Sequence, residues 1–221
     1  MSEHPRNQIG LFVLLCVGVF CAGVASLLYE VLWVRQLGLS LGSTAVATSV
    51  MLSAFLGGLA VGSYVMGRRA DGLAHPARVL ATVEVIAAVL GVAAIPALSG
   101  AGHAYVLIAT TTGATGAGAT VLRALFALVV MFIPALLFGM TFPLATTVGA
   151  RLIPAQTAAG LVSAVSSFGS AAGAALCGLW LEPTLGIFRS ACVGAGMNLL
   201  AAAAVFLLSR TTGRVVTRPD T

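Results

Sequence analysis

There is no lysine in this chain of 221 residues: all eleven bases are arginine, and they stand against six acids. Charged residues make up 8% of the sequence, too few to clothe a water-soluble domain of this size. A nucleic-acid-binding face is excluded too, because the densest basic groupings, GRRADGLAHPAR and SRTTGRVVTR, read as topology signals rather than as one solvated patch. Histidine is scarce: His4, His75 and His103 fall in termini or loops, so no metal site, no cofactor and no membrane-embedded catalytic constellation is expected. The four cysteines, Cys16, Cys21, Cys177 and Cys192, lie inside apolar runs, where they act as small hydrophobes rather than disulfide or metal partners. The first apolar run lacks a small-residue cleavage site, so it reads as a retained span rather than a signal peptide.

What is present is apolar. Hydrophobic residues make up 59% of the chain and the mean hydropathy is +1.08, the composition of an all-α integral membrane protein whose first partner is the lipid bilayer. A crossing of a ~30 Å hydrocarbon core needs roughly 20 apolar residues. That rule predicts six transmembrane helices over 9–33, 44–67, 78–98, 121–148, 157–181 and 189–208. The domain plan is then a cytoplasmic segment 1–8, a membrane domain 9–208 and an Arg-rich tail 209–221. HAYVLIA, followed by TTTGATGAGAT, is too short to cross and reads as an external loop with a surface-lying piece. With both termini in the cytoplasm, Arg6, Arg68, Arg69, Arg78, Arg151, Arg210, Arg214 and Arg218 lie inside and only Arg35, Arg123 and Arg189 outside. That split obeys the positive-inside rule and gives an N-in, C-in, multi-pass protein of a bacterial-type cytoplasmic membrane.

Polar residues in the spans are the candidates for function, with Glu84, Glu30, Tyr29 and Asn198 the candidates for binding a substrate or proton. Glu84 lies six residues past Arg78, about 9 Å deeper along a helix, and so within hydrocarbon. Such a carboxylate faces the bundle interior, neutral or paired with a donor, as in proton- and cation-coupled transporters. Glu30, in LLYEVLW, sits at the outer end of the first span beside Tyr29 and Trp33, residue types of the membrane interface. Pairing with Arg35 or Arg123 and a ligand-facing role for Glu30 both stay open. Asn198, with Ser163, Ser166, Ser167 and Ser170, offers interhelical hydrogen bonds or a polar wall. Small residues at four-residue spacing (Ala54, Gly58, Gly62; Gly169, Gly173; Ser190, Gly194, Asn198) predict close helix packing. Pro134, Gly139 and Pro143 predict a kink in the fourth span.

The stretch GVASLLYEVLWVRQLGLSLGSTAVATSVMLSAFLGGLAVGSYVMGRRAD resembles the membrane domain of the fused major-facilitator/spermidine-synthase family, with LxYExxWxR, GST, AFxxGLAxGS and GRxAD in order. LFALVVMFIPALLFGMTFPLA and GLVSAVSSFGSAAGAALCGLWLEPTLG resemble its fourth and fifth spans, so the likeness covers about residues 20–208. In the fifth span Ser163, Ser166 and Ser167 stand where the family more often has Tyr, Asn and Thr. The resemblance implies a compact bundle like half of a major-facilitator transporter, handling a polyamine or related small molecule by transport or sensing. The family's soluble aminopropyltransferase half has no counterpart here, so the chain is not expected to be an enzyme. It would act as a homodimer or with a separately encoded soluble or membrane partner. GSYVMGRRADGLAHPAR is also similar to the cytoplasmic loop of that superfamily, which implies a conformational latch at Gly67, Arg68, Asp71 and Arg78. The competing reading is a structural subunit or anchor whose small-residue stripes dock partner helices.

Overall fold

An apolar chain in lipid must satisfy every backbone group within its own segment, which leaves helices or closed barrels. The computed structural model describes residues 5–41, 45–113 and 116–216, and every regular element among them is helical. The helices are α1 (Pro5–Leu41), α2 (Ala45–Gly67), α3 (Pro76–Thr112), α4 (Gly116–Ala150), α5 (Ala155–Leu176) and α6 (Glu182–Val216). A short 3-10 turn (Ala70–Gly72) precedes α3, and a π turn (Cys177–Leu181) joins α5 to α6. Proline opens α3, where its missing N–H costs nothing, and Pro154 immediately precedes α5. Among the described residues, Asn7–Ser40, Pro76–Thr112, Ala124–Ala150 and Ala155–Thr211 are long and apolar enough to cross a membrane. Leu52–Gly67 is a shorter apolar helix, and the 57-residue segment Ala155–Thr211 contains the left-handed Gly186 (φ 75°, ψ 171°), where the chain turns back.

Contacts fix the directions of the helices. Tyr29 and Trp33 of α1 meet Ala88 and Gly91 of α3, and Gln36 meets Ser99, so α1 and α3 run parallel. Gly18 of α1 faces Ala201 and Val205 while Leu28 and Tyr29 face Gly194, so α6 runs against α1. Two parallel pairs approach backbone to backbone. On α2, Gly58 and Gly62 lie against Phe132, Ala135 and Leu136 of α4, and Gly139 of α4 lies against the Leu59 backbone. On the other side, Gly169 and Gly173 of α5 lie against Phe20 and Val24 of α1, and Gly23 lies against Ser166. A Cβ at any of these positions would collide with backbone, which is how the small-residue stripes of the sequence act. The outer faces carry exposed Val13, Val89, Val129, Phe168 and Leu200, as suits a surface in hydrocarbon.

Several sequence expectations are corrected. HAYVLIA is not a surface loop: α3 is one helix of 37 residues through Thr112, ended by the left-handed Gly113. Its polar residues do not break it, because Ser99, His103 and Thr110–Thr112 bond back to carbonyls one turn earlier. Helix α1 continues past residue 33 to Leu41. Helix α4 is continuous as helix through Pro134 and Pro143, and irregular backbone occurs at the π turn and Gly186. Pro143 cannot donate to the carbonyl of Gly139, and Ser63 Oγ of α2 donates to that oxygen at 2.8 Å in its place. The first eight residues of the Arg-rich tail, 209–216, continue α6 as helix. Gly42, Ser43 and Thr44 of the GST motif, residues 217–221 and the side chain of Arg123 lie outside the described residues.

Candidate functional site

One face of α3 carries Leu80, Glu84, Ala88, Gly91 and Ile95, all buried, at three- and four-residue spacing. On that face Glu84 is 1% exposed, and two helices supply it with donors. Thr141 Oγ1 of α4 donates to Oε1 at 2.8 Å, and Asn198 Nδ2 of α6 donates to Oε2 at 2.6 Å. Thr141 is unusual in this chain, since Thr82, Thr110, Thr146 and Thr184 turn their hydroxyls to carbonyls of their own helices. Neither donor is charged. Among the described residues one ion pair occurs, between Arg35 and Glu182, and none of the described arginines pairs with Glu84. Asn198 Oδ1 is buried with no hydrogen-bond partner, and so is Ser190 Oγ two turns away on the same face of α6. Cys21 of α1 lies within electrostatic reach of the Glu84 carboxyl.

Directly beyond Glu84 lies an aromatic layer. Tyr29 Oη donates to the Ala88 carbonyl at 3.3 Å, and Trp33 Nε1 donates to the Gly91 carbonyl at 3.1 Å. The two rings stack with centroids 5.6 Å apart, and Phe55 and Phe138 pack around Trp33. Gly91 and Gly194 clamp the Tyr29 ring from α3 and α6, and a Cβ at Gly194 would stand 3.1 Å from Tyr29 Cζ. Both Tyr29 and Trp33 are 0% exposed, so their rings face the bundle core rather than lipid. Their polar atoms find backbone carbonyls of a neighbouring helix, so these large rings belong in the core.

Glu30 is half-buried on α1 and has no bonding partner among the described residues. Pairing of Glu30 with Arg35 is corrected: Arg35 Nε lies 3.1 Å from Glu182 Oε1, at the end of the bundle where α6 begins. Of the latch candidates, Asp71 Oδ1 accepts from Thr147 Oγ1 at 2.9 Å, tying the turn after α2 to α4. Arg68 donates to Tyr64 Oη at 2.8 Å and lies over that ring, while Gly67 and Arg78 are exposed. The stronger tie comes from Arg151, whose guanidinium donates to the carbonyls of Leu73 and Ala74 at 2.7 and 3.3 Å. Thr141, Thr147 and Arg151 were not singled out by sequence reasoning. A lone threonine in an apolar span gives no direction, and a single arginine after α4 reads first as a topology charge.

The arrangement can therefore hold one positive charge, a proton or a small cation, at an otherwise uncompensated carboxylate enclosed by α3, α4 and α6. No family model, no curated protein and no solved structure matches this chain, so the likeness to the major-facilitator/spermidine-synthase family rests on the motifs quoted above.

Proposed function

We propose that this protein crosses a bacterial-type cytoplasmic membrane six times, with both termini inside, and couples a proton bound at Glu84 to the transport or sensing of a small cationic solute. The observation that carries the reading is the enclosure of Glu84 by two neutral donors, with no cation paired to it among the described residues. A carboxylate buried in this way is expensive in a bundle that only anchors, and such residues inside membranes mark ion and proton pathways. Glycine-mediated contact of α2 with α4 and of α1 with α5 packs these helices backbone to backbone around the site. The family resemblance narrows the solute to a polyamine or related amine, handled by a homodimer or with a separate partner, and supplies no catalytic role.

The test is uptake of labelled spermidine and putrescine into proteoliposomes under an imposed proton gradient, comparing wild type with Glu84→Gln. Saturable uptake lost in a correctly folded Glu84→Gln protein is the expected result. Wild type that inserts correctly yet takes up neither amine, with no response to the gradient, would sink the proposal and leave the anchor reading.

A further inference from the structure

Two electrostatic deficits meet at the Glu84 carboxyl. Its negative charge has no paired cation among the described residues, because the two donors that reach it, Thr141 Oγ1 and Asn198 Nδ2, are neutral. The same Asn198 carboxamide that donates with its nitrogen keeps Oδ1 buried with no donor of its own. In an apolar bundle each deficit is costly. They also lie close together. Amide oxygen and nitrogen share one carbon, with bonds of about 1.23 and 1.33 Å, so they stand about 2.3 Å apart. Nδ2 lies 2.6 Å from Glu84 Oε2, which holds Asn198 Oδ1 within about 4.9 Å of that carboxyl oxygen. Both side chains are buried, and the three groups come from three different helices, α3, α4 and α6.

We infer that Glu84, Thr141 and Asn198 form a binding site for a small monovalent cation of the sodium type, held between α3, α4 and α6. Hard cations of this size keep about 2.3–2.6 Å to oxygen, so one ion reaches two oxygens that lie up to roughly 5 Å apart. Glu84 supplies the charge and Asn198 supplies Oδ1. Thr141 Oγ1 spends its proton on Oε1 and keeps its lone pairs for the ion. A proton alone cancels the charge, yet with the amide nitrogen already on Oε2 it gives Oδ1 no donor. A cation answers both deficits at once. The donors also select the ion. One carboxylate among neutral groups matches a single positive charge, and a divalent ion would leave one charge uncompensated in the core. Carboxylate, amide and hydroxyl oxygens suit hard ions rather than thiol- and imidazole-seeking transition metals. The nearby Cys21 is a lone thiol, and no group of three His, Cys, Asp or Glu side chains that could hold a metal occurs among the described residues.

Sodium binding here rests on the proposed role of Glu84 as the point where positive charge enters the bundle, and makes sodium and the proton alternative occupants of one carboxylate. The test is equilibrium binding of radiolabelled sodium to purified protein in phosphatidylcholine nanodiscs, at constant pH, with N-methylglucamine holding the ionic strength. Wild type should bind sodium saturably at a single site. Glu84→Gln should abolish binding, and Asn198→Leu, close in size, should weaken it on the order of tenfold or more. Thr141→Val keeps the shape, loses the hydroxyl and should weaken binding by a similar factor, and it serves if the Asn198 variant does not fold. Thr141→Ser, which keeps the hydroxyl, should restore it. Wild type without saturable binding would overturn the site, as would binding retained in Glu84→Gln or unchanged in both Asn198→Leu and Thr141→Val. Uptake into proteoliposomes separates the ion site from the functional proposal. Amine uptake driven by a proton gradient in sodium-free medium, from protein that binds no sodium, removes the ion site and leaves the proposal. Sodium bound by protein that takes up neither amine removes amine transport and leaves the ion site.

Discussion

Two successive turns of α3 meet polar side chains from the rest of the bundle in opposite ways. At Ala88 and Gly91 the helix offers backbone carbonyls, and the aromatic layer of α1 fills them with Tyr29 and Trp33, closing every hydrogen bond it opens. At Glu84, one turn earlier, the helix offers a carboxyl group, and its partners leave an acceptor of Asn198 unpaired. The upper layer is what a core does with polar atoms it must bury. The lower layer is incomplete, and a group that arrives and departs would complete it.

The contrast can be broken from either side. The largest stability loss should come from Gly91→Val, which drives a side chain into the Tyr29 ring that Gly91 touches, costing about 3 kcal/mol or more. Denaturation in mixed micelles measures this; an unchanged midpoint would mean that the aromatic layer is loosely packed. Asn198→Ala removes one of the two donors of the buried Glu84 and should cost roughly 2 kcal/mol in the same assay. Trp33→Phe keeps the stacking and loses the bond to the Gly91 carbonyl, a cost of about 1 kcal/mol. Tyr29→Phe should cost less than about 1 kcal/mol, because its 3.3 Å bond is long. The smallest stability effect should belong to Ser190→Ala, which deletes a hydroxyl with no protein partner. Its stability should stay within about 0.5 kcal/mol of wild type.

Composition and the long apolar runs made the helical class legible, and with it the burial of Glu84, since a carboxylate six residues past an arginine lies about 9 Å deeper along the helix. The stripe Ser190, Gly194, Asn198 was legible as a packing face, and it is also the face that holds the donor of Glu84. The burial of Tyr29 and Trp33 was not legible because their residue types suit an interface as well as a core, and the choice depends on which carbonyls a distant helix presents. Thr141 was invisible for the same reason, since it meets Glu84 across 57 positions of chain. The far end of α3 was missed because length rules mark where a crossing could stop, while a helix continues wherever its backbone and hydroxyls stay satisfied.

The reversal at Gly186 has a consequence for how the protein is made. It sets α5 and α6 on either side of α1, so that Gly23, synthesised early, packs against Ser166, and Gly18 packs against Ala201. At about 5–20 residues per second, α1 emerges roughly 7–30 s before the residues that cover it. During that interval its glycine face has no native neighbour from the C-terminal hairpin. Helix α1 is made well before the two helices that enclose it, and whatever shields its small-residue face in the meantime, lipid or an insertion factor, acts as a temporary stand-in for α5 and α6.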